Sequence, residues 1–147
     1  MFVRWVDRRA VGRKEIRITL APKQSNLAGA QVVIDVPAQN ATVEGAFLLG
    51  GWAADLDETV GTGVDTVHVW AYPVGNPTSV DPIFLGSAAY GGERQDVAAI
   101  FGPQVAKSGY GLMVDSLAPG KYDLAVFAWS TVKGGFVPAK VVRVIVK

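Results

Sequence analysis

Val64-Asp65-Thr66-Val67-His68-Val69-Trp70-Ala71-Tyr72 is the stretch whose reading decides the fold. Side chains of an extended chain point alternately to its two sides. Val67, Val69 and Ala71 therefore share one face, and His68, Trp70 and Tyr72 share the other. Further along, Ala118-Pro119-Gly120-Lys121 makes a Pro-Gly turn into residues 122–131, where Tyr122, Leu124, Val126 and Ala128 lie on one side. Residues 139–146 repeat the pattern with Val142, Val144 and Val146 inward.

Working outward, residues 33–36 read as an edge strand ended by Pro37. Residues 46–53, 81–90 and 110–117 read as strands too, and residues 95–101, closed by Gly102-Pro103, as the one helical turn. About seven short strands at roughly ten-residue spacing, with turn signals between them, predict an antiparallel sandwich. Trp52, Val67, Val69, Leu112, Leu124, Val126 and Val144 form the expected core. Residues 2–6 and 14–20 are strand-like as well, followed by a breaker-rich linker from Ala21-Pro22 to Gly29.

Half the residues are hydrophobic, enough for a two-layer core in 147 residues. No Cys is present, which excludes disulfides, thiolate metal sites and cysteine nucleophiles. One His, His68, excludes any site built on two imidazoles. No apolar run is long enough to span a membrane, so no membrane insertion is expected. The near-neutral total hides an asymmetry: residues 1–30 carry a net +5 and the remainder a net −4. That segment lacks aromatic interleaving, so nucleic acid is not an expected partner. Its charge and strand-like runs instead predict pairing with a neighbouring domain or with another copy of the chain.

Several motifs then fall in a recognisable order: Gly50-Gly51-Trp52-Ala53-Ala54-Asp55, Val67-His68-Val69-Trp70-Ala71-Tyr72, Gly86-Ser87-Ala88-Ala89-Tyr90-Gly91-Gly92-Glu93-Arg94-Gln95-Asp96-Val97, Ser108-Gly109-Tyr110 and Leu117-Ala118-Pro119-Gly120-Lys121-Tyr122. Residues 31–147 resemble a bacterial immunoglobulin-like module of secreted and cell-surface proteins, with Gln95 where that pattern often has Pro. The resemblance implies an all-β, immunoglobulin-like antiparallel sandwich with residues 1–30 as a strand-forming extension. It also implies an extracellular or cell-surface place, with the export signal outside this chain, and a non-catalytic structural or adhesive role without a cofactor.

Three constellations are candidate sites. Asp55 and Asp57, two residues apart in a loop, have spacing for Ca²⁺, although a plain solvated turn is the expected reading; Trp52 beside them is expected in the core. Arg94 and Asp96 are expected to form a two-pronged ion pair that pins the Tyr90–Asp96 connection, with a ligand site at Tyr90 and Arg94 as the alternative. If the strands bearing Trp70 and Trp129 are neighbours, His68, Trp70, Tyr72, Phe127 and Trp129 form one aromatic face. Buried, it is half the core, which is the expectation; exposed, Trp70 and Trp129 would stack on the sugars of a polysaccharide, as in an accessory module of a glycoside hydrolase. Catalysis is not expected, because one His allows no argued Ser-His-Asp set. A small carboxylate-dependent hydrolase is the enzyme-class alternative, but nothing selects a pair among Asp55, Asp57, Asp65, Asp81, Asp96 and Asp115.

Overall fold

A computed structural model describes residues 29–75 and 81–147. The strand-like runs at 2–6 and 14–20, most of the linker, and the pairing expected of residues 1–30 lie outside the described residues.

Ten strands are described: β1 Ala30–Val36, β2 Ala41–Val43, β3 Phe47–Asp55, β4 Val64–Val74, β5 Ile83–Ser87, β6 Ala89–Gly92, β7 Gly109–Val114, β8 Gly120–Ser130, β9 Gly135–Phe136 and β10 Lys140–Val146. Between β6 and β7 lie the helix α1, Gln95–Phe101, and a 3₁₀ turn, Pro103–Val105. The larger sheet runs β2-β10-β8-β4-β5, with β9 added beside β8, and the smaller runs β1-β3-β7-β6. The chain is thus an all-β, mainly antiparallel sandwich; β2 with β10 is a parallel pair.

The centre of the larger sheet is β4 against β8, in antiparallel register from Val64 opposite Ser130 to Val74 opposite Lys121. Cross-strand partners share a face. Val67, Val69, Leu124, Val126 and, from β10, Val144 therefore point inward, and all are fully buried. They meet Leu49 of β3, also fully buried, on the side of the smaller sheet. Glycine is required in β3, since a Cβ on Gly51 would collide with the Val33 carbonyl of β1.

Two core expectations change in detail. Trp52 is buried in a satellite cluster with Ala54, Val97 and Val105, and its ring lies 5.6 Å from that of Phe101 on α1. Helix α1 thus exists to cover one side of β3: Val97 is its buried residue, and it ends at Gly102, whose φ of 113° other residues rarely adopt. Leu112 is partly exposed, a correction to its expected burial. It sits under Gly86, where the chain is about to cross from β5 in one sheet to β6 in the other, and a glycine has no side chain to cover it.

Replacing Leu124 by Ala leaves a cavity between the sheets and should cost about 2–5 kcal/mol in denaturant unfolding. A loss below about 1 kcal/mol would contradict the inward phase of β8.

Candidate functional site

The alternation that buries the aliphatics of β4 and β8 pushes their aromatics outward. His68 stands opposite Phe127, Thr66 opposite Trp129, and Trp70 opposite the small Ala125. Flanking strands add two rings that the sequence reading did not include: Phe84 of β5 opposite Trp70, and Phe136 of β9 opposite Trp129. The six rings form one connected network. His68 touches Phe84 at 5.3 Å and Phe136 at 5.0 Å, Trp70 touches Phe84 at 5.0 Å, and Phe136 also meets Phe127 at 6.3 Å and Trp129 at 5.0 Å.

This face is open. Trp70, Trp129, His68 and Phe127 are partly exposed, and Phe84 and Phe136 are 48% and 45% exposed. The expectation that the stripe is a buried half of the core is therefore corrected: the aliphatic side of each strand fills the core, and no second described layer covers the aromatic side. One step along the same face, Asp123 lies opposite both Tyr72 and Arg143. Arg143 grips Asp123 with two hydrogen bonds of 2.7 and 2.9 Å, which lowers the carboxyl pKa and raises that of the guanidinium.

On the smaller sheet, Arg94 is the hub of a second cluster. It forks onto Asp96 at 3.0 and 2.8 Å and reaches Asp35 of β1 at 2.7 Å. Hydrogen bonding from Arg94 holds the Asp96 carboxyl down to about 2. Tyr90 donates to the Ala53 carbonyl at 2.6 Å, and burial pushes its phenol up to about 12. Tyr90 and Arg94 do line one groove of about 450 Å³, floored by Gly50, Gly111 and Ala89. The guanidinium nitrogens that face carboxylates are already engaged, so the arrangement ties β1 to the start of α1.

Asp55 and Asp57 come together, but around an amine. Asp55, fully buried at the end of β3, accepts from Lys133 Nζ at 2.7 Å, from Ser130 Oγ at 2.7 Å and from the Asp57 backbone N–H at 3.0 Å. Asp57 accepts from the same Lys133 Nζ at 3.0 Å. Burial pushes the Asp55 carboxyl up and the Lys133 amine down, yet their mutual contact prevails, holding Asp55 below and Lys133 above their ordinary values. The plain solvated turn expected of Asp55 and Asp57 is thereby corrected, since Asp55 is fully buried; where the alternative placed Ca²⁺, a lysine ammonium supplies the positive charge between the two carboxylates. Lys133 lies 78 residues from Asp55, so no local spacing could have signalled it.

No family model matches the chain, and no curated protein matches it. Among solved structures it is similar to the superoxide reductase (neelaredoxin) from Ignicoccus hospitalis, with a TM-score of 0.51, 14% identity, and coverage of 80% of this chain and 82% of that one. A single-residue variant of the same protein gives a TM-score of 0.50 at 15% identity, covering 82% of each chain. The likeness is one of fold, and the structures sharing it include an enzyme.

It overturns the expectation of a non-catalytic structural or adhesive module. The role came with a resemblance whose all-β fold is shared with a reductase, and a scaffold by itself names no role. The expected absence of a cofactor loses its ground with it, since it came only with the surface-module resemblance, and a fold shared with a reductase does not exclude one. A likeness of fold carries no particular chemistry to this chain. This chain has a single His and no Cys, and among the described residues no three His, Cys, Asp or Glu side chains converge as metal ligands.

Because Lys133 occupies the place between Asp55 and Asp57, millimolar Ca²⁺ and EDTA should both leave the melting temperature unchanged. A rise with Ca²⁺ that EDTA reverses would restore the calcium site.

Proposed function

We propose that this chain binds a saccharide through the outer face of its larger sheet, with Trp70 and Trp129 as the stacking residues. One observation carries the reading: six rings linked in one network of contacts, each of them at least partly exposed, stand on the outer face of the larger sheet, which no described layer covers. A half-solvated antiparallel sheet ordinarily alternates apolar inward with polar outward. Aromatic side chains outside, when the inward face already has a full aliphatic core, break that rule and leave ring surface exposed. Such breaks concentrate at functional surfaces.

The chemistry of the face favours a sugar. A saccharide ring offers C–H groups that pack on an aromatic face and hydroxyls around its edge. Besides the imidazole of His68 within the network, a hydroxyl on Thr66 and the paired Asp123 and Arg143 stand next to the rings and can meet such hydroxyls. The rings are tilted to one another by 42° to 89°, so the surface is stepped. A stepped surface suits a single glycan chain, whose successive units turn about their linkages, better than the flat face of a crystalline polysaccharide.

Soluble glucans, xylans, mannans and chito-oligosaccharides, titrated against tryptophan fluorescence and by calorimetry, test the reading. At least one should bind, and Trp129→Ala and Trp70→Ala should each weaken it about tenfold or more, the loss of roughly 1.4 kcal/mol. Phe101→Ala, on α1 beside the smaller sheet, should leave affinity unchanged. Absence of heat and of fluorescence change across the whole panel would overturn the proposal.

A further inference from the structure

We propose that Lys133 and Asp55 condense into an amide, a covalent cross-link between the two sheets that the fold forms by itself. The reading is independent of the saccharide face. Asp55 closes β3 of the smaller sheet, and Lys133 sits in the turn between β8 and β9 of the larger one. Nζ of Lys133 is 2.7 Å from Oδ2 of Asp55, and the Asp55 side chain is fully buried while that of Lys133 is 18% exposed. Amine and carboxyl are thus held in contact with water largely excluded, which is the condition under which an intramolecular reaction gains most from orientation.

The neighbours complete the chemistry. On Oδ1 of Asp55 sits the Asp57 backbone N–H, a fixed donor where negative charge would develop, and on Oδ2 the Ser130 hydroxyl, which holds the carboxyl in place. The Asp57 carboxylate contacts the same Nζ at 3.0 Å and is itself half-exposed, so it can take up a proton and give it back.

The resting ion pair exchanges one proton, from Nζ to Oδ2, giving a neutral amine and a carboxylic acid. The nitrogen lone pair then attacks Cγ, forming the C–N bond and placing negative charge on Oδ1, against the Asp57 N–H. Asp57 accepts a proton from nitrogen and passes it to the Oδ2 hydroxyl. The C–Oδ2 bond breaks and that oxygen leaves as water. One ammonium and one carboxylate become one amide and one water, Asp57 is regenerated, and no oxidant, reductant or cofactor takes part. The chain has no Cys, so such a bond is its available means of covalent stapling.

Intact-mass spectrometry of the purified full chain under denaturing conditions decides the matter. The expected mass is one water below the sequence mass, with a branched tryptic fragment joining the segments that contain Asp55 and Lys133. Lys133→Arg keeps the ion pair but presents no primary amine, and should return to the full mass. Asp57→Ala, which leaves the Lys133–Asp55 contact in place, should accumulate the uncrosslinked form. Mass is read on unfolded chain, so a variant that folds poorly is still scored through the Asp57→Ala and wild-type samples. Wild-type protein at the full sequence mass would overturn the proposal, as would loss of one water that persists in Lys133→Arg.

Discussion

The antiparallel pairing of β4 with β8 is the constraint from which the rest of the molecule follows. These two strands of 11 residues each run side by side at the centre of the larger sheet. Their register decides, residue by residue, which side chains face the smaller sheet and which face solvent. A one-residue slip of either strand would exchange its two faces, turning Val67 and Val69 of β4, or Leu124 and Val126 of β8, out to water and driving that strand's aromatics into the core. The core and the aromatic face are therefore two products of a single choice of register. Ser130 at one end of that pairing also fixes where the turn bearing Lys133 begins, and so where it meets Asp55.

Each polar cluster holds elements that are far apart in sequence. Arg94 joins the start of α1 to β1, and Arg143 joins β10 to β8. Lys133 with Ser130 and Asp55 joins the two sheets at one end of the sandwich. Asp55 is the one carboxylate among the described residues with no exposed surface, and an unpaired charge there would cost several kcal/mol, on the order of the 3–5 expected when one partner of a buried pair is removed. A carboxylate kept in such a place, with its donors arrayed around both oxygens, is what separates this corner from the exposed ion pairs elsewhere on the surface.

The strand pattern was legible because period-two alternation is a local property. The stretch at 64–72 displayed it directly, and the helix falls on the residues where the pattern breaks, Gln95–Phe101. Which face of β4 is aromatic was equally legible. Whether that face is covered was not, because covering depends on what else packs there, and expecting it to be buried proved wrong. Leu112 and Trp52 teach the same lesson in opposite directions: one loses cover at the crossing beside Gly86, and the other gains it from a helix that follows 43 residues later in the chain. The partners of Asp55 were invisible for the same reason, since only the folded chain brings Lys133 beside it. The resemblance to surface modules rested on the order of short motifs, and the all-β scaffold it implied is one that a reductase also has, so it could not fix a role.

The two faces of the central strand pair have separate tasks, one to hold the sheets together and one, as proposed, to meet a ligand. Amide and indole resonances, followed by NMR as a bound oligosaccharide is added, read both faces in one experiment. The indole N–H signals of Trp70 and Trp129 should move together and saturate, while that of Trp52, under α1, and the amides of Val67 and Leu124 stay in place. Movement confined to Trp52 or to the groove beside Arg94, with Trp70 and Trp129 unmoved, would contradict it.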